Sequence, residues 1–212
     1  MKTNAELVRY LIDQGVLKNK SLIEAIRRID RRDFVLECER DNAYQDYPLP
    51  IGHGQTISQP LTVAFMLELL NPQKGDKVLD VGSGCGRTTA LLAEMVGLSG
   101  KVYGVEIIPE LTEMGQTNLK KYQLNQAEII QAGQEYGLPS KAPFDKILVS
   151  ASADKIPDEL LTQLKPGGTM VIPVKNSILR IRKNEDNTIN TEEFPGFVFV
   201  PLIDPKTKQQ TT

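Results

Sequence analysis

Two cysteines, one histidine and no tryptophan are spread over 212 residues. Cys38 and Cys85 form no C-x-x-C pair, which argues against a disulfide framework or a zinc site and makes a reducing compartment the default. No bound metal is expected. No apolar run approaches the ~20 residues that cross a bilayer. The first residues, Met1 to Glu6, carry acid and no apolar core, unlike a signal peptide. Neither charge sign dominates: 25 basic against 27 acidic side chains leave a net charge of −2. No overall positive field therefore draws the chain onto nucleic acid. Internal repeats and Pro/Gly/Ser-rich linkers are absent, and no long apolar stripe is left over for a partner. These absences lead us to expect a cytoplasmic monomer without nucleic-acid or membrane partners. An apolar fraction of 40% beside 25% charged residues fits a globular chain.

Leu7, Val8, Leu11 and Ile12 recur at helical spacing over 5–14, with Gly15 as a stop. Ser21-Leu22-Ile23-Glu24 has the form of a capping box, opening a helix that buries Ile23, Ile26 and Ile29 or their neighbours. Residues 40–57, with Pro48, Pro50, Gly52 and Gly54, read as an ordered loop before a short helix from about Gln59 to Leu70. An alternation follows: strand 77–82, helix 87–96, strand 101–106, helix 109–121, strands 127–131 and 145–150, helix 157–164, strand 168–174. It predicts an α/β fold with a mostly parallel, doubly wound sheet. Beyond Pro173, Ile178–Arg182 and Phe197–Val200 read as an antiparallel edge around a turn at 184–187. We expect one domain over 1–212: a helical cap and loop over 1–60, an α/β core over 61–174, C-terminal strands over 175–203 and a frayed polar tail over 204–212.

The richest chemistry lies in Val78-Leu79-Asp80-Val81-Gly82-Ser83-Gly84-Cys85-Gly86, followed by a strand ending at Glu106. A buried strand running into a glycine turn and a helix forms the nucleotide-binding corner of an open α/β sheet. The spacing is G-x-G-x-G, whereas the dinucleotide fingerprint is G-x-G-x-x-G, so a nicotinamide cofactor is not indicated. The form resembles the first motif of S-adenosylmethionine-dependent methyltransferases. Glycine permits positive φ and close approach of backbone to a ligand. The helix N-terminus offers free N–H groups to a carboxylate. Glu106, 26 residues after Asp80, can accept from both hydroxyls of a ribose, and Asp80 can orient an ammonium directly or through water.

The segment Ala43-Tyr44-Gln45-Asp46-Tyr47-Pro48-Leu49-Pro50-Ile51-Gly52-His53-Gly54-Gln55-Thr56-Ile57-Ser58-Gln59-Pro60 closely resembles the signature loop of the protein-L-isoaspartate O-methyltransferase family. Further matches follow in order: Arg32-Asp33-Phe34-Val35, Ala142-Pro143-Phe144-Asp145, Gln163 to Gly168, Val171 to Val174, and Phe199-Val200-Pro201-Leu202. The resemblance covers roughly 5–203. It implies a Rossmann-like methyltransferase with an N-terminal helical cap, using S-adenosylmethionine as methyl donor. Its acceptor would be the α-carboxyl of L-isoaspartyl residues in damaged proteins and peptides, a repair reaction that returns them to succinimide and then aspartate. It further implies Ser58 as the active-site residue, and Gln55, Thr56, Ile57, Asp80, Gly82, Ser83, Gly84, Glu106, Ile107, Gly133 and Gln134 around the cofactor.

Residue chemistry is compatible with this. A carboxylate of ordinary pKa is ionised at neutral pH, so no strong base is required. Alignment and desolvation can supply about 7–11 kcal/mol. Ser58 also reads locally as the N-cap of a helix with Pro60 in its first turn. His53, in a glycine-flanked loop, reads as structural or solvated, and Arg180, Arg182 and Lys183 read as a solvated strand face. The chain departs from the family pattern at three places. The usual Gly-Asp-Gly, whose acid lies near the adenine amino group, is Ala132-Gly133-Gln134, leaving Gln134 or Glu135 to accept from it. A usual glycine after Val174 is Lys175, and Ser-Gly-Tyr is Cys85-Gly86-Arg87. The alternatives are a same-fold methyltransferase for another carboxylate or small molecule, and a non-catalytic cofactor- or peptide-binding relative.

Overall fold

The computed structural model describes residues 1–206; the tail predicted to fray falls, from 207 onward, outside the described residues. Seven strands form the main sheet: β3 (Lys77–Val81), β4 (Lys101–Glu106), β5 (Ala127–Gln131), β6 (Phe144–Val149), β7 (Leu164–Val174), β8 (Ser177–Lys183) and β9 (Ile189–Pro195). Their order is β5-β4-β3-β6-β7-β8-β9. β3 to β7 run parallel, β8 runs antiparallel to β7, and β9 runs antiparallel to β8. The chain moves outward from β3 to β5 and returns to β6 on the other flank of β3. That reversal opens a crevice beyond the carboxyl ends of the strands. β1 (Leu49–Gly52) and β2 (Gln55–Ile57) make a separate small hairpin where an ordered loop was expected.

Both sheet faces are covered, unequally. Alternate residues such as Val78, Val102, Leu148 and Val171 meet helices α1 (Asn4–Asp13), α2 (Lys20–Arg28), α3 (Pro60–Leu70), α4 (Arg87–Val96) and α5 (Pro109–Lys120). Leu79, Val105, Ile147 and Met170 point to the other face, closed by α6 (Asp158–Gln163) and the segment 132–142. This period-2 division is what a two-faced parallel sheet requires. The N-terminal helices pack into the same core as the strands, and no helix among the described residues is long and apolar enough to cross a membrane.

Four local expectations are corrected. Ile12 is 40% exposed, because its position falls off the face carrying Leu7, Val8 and Leu11. Helix α2 is capped by Asn19, whose Oδ1 accepts from Ser21 N at 2.8 Å and Leu22 N at 3.3 Å, so Ser21 opens no capping box. Helix α3 has Gln59 at its N-cap position with no side-chain cap bond; the carboxylate of Asp46 accepts from Leu61 N at 2.9 Å instead, and Ser58 is no cap. The third antiparallel strand is β9, whereas Phe197–Val200 forms no strand. Phe197 stacks on Phe65 of α3 at 5.3 Å, and Phe199 also packs against the core, while Val198 stays exposed.

Candidate active site

The glycine turn leaves β3 with Gly82, Gly84 and Gly86 at φ +78°, +51° and +84°. Gly82 N and Ser83 N both donate to Val105 O, at 2.9 and 3.1 Å, tying the turn to β4. The first and third glycines answer different demands. A Cβ on Gly82 would meet nothing within 4 Å, so its backbone borders open space. A Cβ on Gly86 would fall 2.9 Å from Ile129 Cδ1 and 3.0 Å from Gly115 Cα. Gly86 thus lets α5 approach the turn.

Glu106 closes this corner. Its Oε2 accepts from Gly84 N at 2.8 Å, and its Oε1 accepts from Ile107 N at 2.8 Å and Ile108 N at 3.0 Å. One carboxylate therefore gathers the glycine turn and the start of α5, with one lone-pair site of Oε2 left for a ligand. Asp80 lies deeper. It is fully buried, accepting from Thr89 Oγ1 at 2.7 Å and Ser150 Oγ at 3.4 Å. Burial pushes its carboxyl up to about 6, opposed by those two hydroxyls, with nearby Glu106 adding to the rise. Among the described residues Ser83 Oγ is buried without a hydrogen-bond partner, and the adjoining N-terminus of α4 has no side-chain cap. An open glycine backbone, an unpartnered hydroxyl and a helix N-terminus without a side-chain cap suit a polar, carboxylate-bearing ligand such as the amino-acid end of S-adenosylmethionine.

A cleft opens in front of this corner. Gln55, Thr56, Gly82, Gly84, Glu106 and Ile107 line it, joined by Glu135 and Tyr136 and by Val200 to Ile203. A second recess holds Ile57, Ser58 and Ser83, and shares Thr56, Gly82, Gly84 and Ser150 with the cleft. A third, beneath it, joins Ser58 and Ser150 to Val63, Met66 and Phe199. Asp80, Gly133 and Gln134 line none of the three. Where the family's acid was missed, the cleft takes Glu135, and Gln134 points to solvent. Gln163 sets that segment, accepting from Leu138 N at 2.8 Å and donating to Tyr136 O at 2.7 Å.

Sequence reasoning missed Ser150 and the 200–203 wall. Ser150 simply follows β6, where the carboxyl ends of parallel strands meet the crevice, and that position was its available signal. The wall is tied on by Ser152 N donating to Val200 O at 2.8 Å and Leu202 N donating to Ser152 O at 2.7 Å. His53 is exposed at the hairpin tip with φ +54°. Arg180 and Arg182 pair with Glu192, and Lys183 Nζ donates to Leu161 O and Leu164 O. That face is engaged with its neighbours across the sheet edge rather than merely solvated.

Residues 2–207 match the family model described as Protein-L-isoaspartate(D-aspartate) O-methyltransferase (PCMT). A protein-L-isoaspartate O-methyltransferase of Methanothrix thermoacetophila is 48% identical over 188 residues, spanning 87% of this chain and 89% of the relative. One from Flavobacterium psychrophilum is 48% identical over 206 residues, spanning 95% and 94%. Among solved structures, a Plasmodium falciparum chain described as a protein-L-isoaspartate O-methyltransferase, in complex with S-adenosyl-L-homocysteine, superposes with a TM-score of 0.84. It has 26% identity, over 96% of this chain and 100% of that one.

Proposed function

The chain belongs to the protein-L-isoaspartate(D-aspartate) O-methyltransferase family, and from that premise we propose that Ser58 receives the acceptor carboxylate beside the cofactor cleft. The enzyme transfers a methyl group from S-adenosylmethionine to the α-carboxyl of L-isoaspartyl residues in damaged proteins. The cofactor, when bound, supplies an electrophilic sulfonium methyl. The residues that would hold it are Gly82, Ser83 and Gly84 with the N-terminus of α4 at the amino-acid end, Glu106 at the ribose, and Gln55, Thr56, Ile57 and Ile107 along its flanks. Glu135 is the acid available to the adenine amino group.

One observation carries the reading of Ser58: it shares a recess with Ser150, and that recess opens on the cleft through Thr56, Gly82 and Gly84. The acceptor arrives already ionised at neutral pH, so the protein has no proton to remove. The Ser58 hydroxyl donates a hydrogen bond to one carboxylate oxygen and turns the other toward the methyl donor. Apolar Val63, Met66 and Phe199 below exclude water, which strengthens that hydrogen bond and strips the nucleophile. We read the chain as a cytoplasmic monomer acting without nucleic acid or membrane, a reading its net charge of −2 supports and a sedimentation measurement tests.

The test of Ser58 uses labelled S-adenosylmethionine and two peptides differing only in one isoaspartyl or aspartyl residue. Base-labile label should enter the isoaspartyl peptide alone, and Ser58→Ala should lower its rate by about 100-fold with S-adenosylhomocysteine affinity retained. Full rate in Ser58→Ala would remove the serine from the reaction.

A further inference from the structure

Arg31 is fully buried and pairs with no carboxylate among the described residues. Among the described residues its Nη1 and Nη2 donate to carbonyls of the signature loop, and its Nε is buried without a partner. Nη1 reaches Ala43 O at 2.7 Å and Gln45 O at 3.3 Å. Nη2 reaches Tyr47 O at 3.1 Å, Ile57 O at 3.3 Å and Ser58 O at 3.2 Å. The Nη2 set is the informative one. Tyr47 precedes the β1–β2 hairpin and Ser58 follows it, so a single nitrogen ties the two limbs together at the base and takes hold of the serine's own peptide unit. A cation in this place is costly: burial, with Arg87 nearby, brings its pKa down to about 9. Uncharged packing would close the same space more cheaply, so the charge answers a need for donors that radiate from one rigid plane.

We propose that Arg31 is a positioning residue for the methyl transfer, holding the Ser58 peptide unit in register with the cofactor cleft. This rests on the reading of Ser58 given above. A lysine would keep the charge and much of the volume, but its one nitrogen cannot serve both the Ala43 and Gln45 carbonyls held by Nη1 and the Tyr47, Ile57 and Ser58 carbonyls held by Nη2.

The test is a double-mutant cycle on the full chain, measuring methylation of an isoaspartyl peptide, S-adenosylhomocysteine affinity by calorimetry, and thermal melting. Arg31→Lys should keep a cooperative melt, lower kcat by about 100-fold through misplacement of the serine, and change cofactor affinity by less than about 5-fold. In a Ser58→Ala background the same substitution should lower the rate by less than about 3-fold, because the group it positions is gone. An equal loss in both backgrounds, or no loss in either, overturns the proposal. Full rate in Ser58→Ala with loss in Arg31→Lys rejects the Ser58 reading separately, since the loss would then pass through another residue. Arg31→Met, which keeps bulk without donors, guards against a folding failure. If neither variant melts cooperatively, Arg31 is a folding residue and the proposal falls.

Discussion

The glycine corner and the signature loop face each other across the same cleft and are built in opposite ways. The corner is assembled from its own neighbours: Gly82, Gly84 and Gly86 supply positive φ, β4 supplies Val105 O, and Glu106 accepts from three nearby backbone amides. The loop is held by side chains from elsewhere. Arg31 makes five hydrogen bonds to its carbonyls from two terminal nitrogens. Asp46 accepts from Tyr10 of α1 at 3.1 Å and from Gln59 Nε2 at 3.1 Å, besides capping α3. The glycine corner is thus built from neighbouring stretches of chain, while the loop that carries Ser58 is held by Arg31 and by Tyr10 of α1 through Asp46. Substitutions in the corner should act on binding and stability together. Those in the loop's supports should act on rate and spare the cofactor.

Gly86→Ala is the most severe test of the corner. Its Cβ would meet Ile129 and Gly115 at about 3 Å while φ stays positive, so overpacking and left-handed strain combine to cost about 3 kcal/mol, read as a lower denaturant midpoint. Glu106→Gln comes next. An amide cannot accept from both Gly84 N and Ile107 N, since its nitrogen is a donor, and S-adenosylhomocysteine affinity should fall by about 30-fold, or about 2 kcal/mol. Asp46→Ala is the mildest: loss of the α3 cap costs about 1 kcal/mol, with a several-fold drop in methylation rate and unchanged calorimetric affinity. If Asp46→Ala weakened cofactor binding as much as Glu106→Gln does, the division between corner and loop would collapse.

The same division governs what could be read from sequence. The alternation of strands and helices over 77–174 was legible because burial on two faces imposes periods of 2 and 3.6 on contiguous residues. The corner was legible because glycine at positive φ leaves a mark in the sequence itself. β9 was not legible. It is a largely exposed edge strand carrying Thr191, Glu192 and Glu193, stabilised by its backbone ladder and by pairing of Glu192 with Arg180 and Arg182, whereas the apolar Phe197–Val200 looked more like a strand. Asn19 displaced Ser21 as a cap because its amide oxygen reaches two N–H groups. Arg31 was invisible for a plainer reason. Its partners are carbonyls, which every residue possesses, so no partner side chain betrays the contact. Ser58 was singled out through family resemblance, since its local spacing pointed to a cap that Asp46 makes instead.

The cleft's wall at 200–203 carries a consequence for how the protein comes to be. It is pinned to Ser152 by two backbone hydrogen bonds, and every strand of the sheet precedes it in the chain. Synthesis runs one way, so the sheet, the glycine turn and the serine loop are all on hand before that wall is laid across them. A nascent chain stalled before residue 200 lacks Val200 to Ile203, which line one side of the finished cleft.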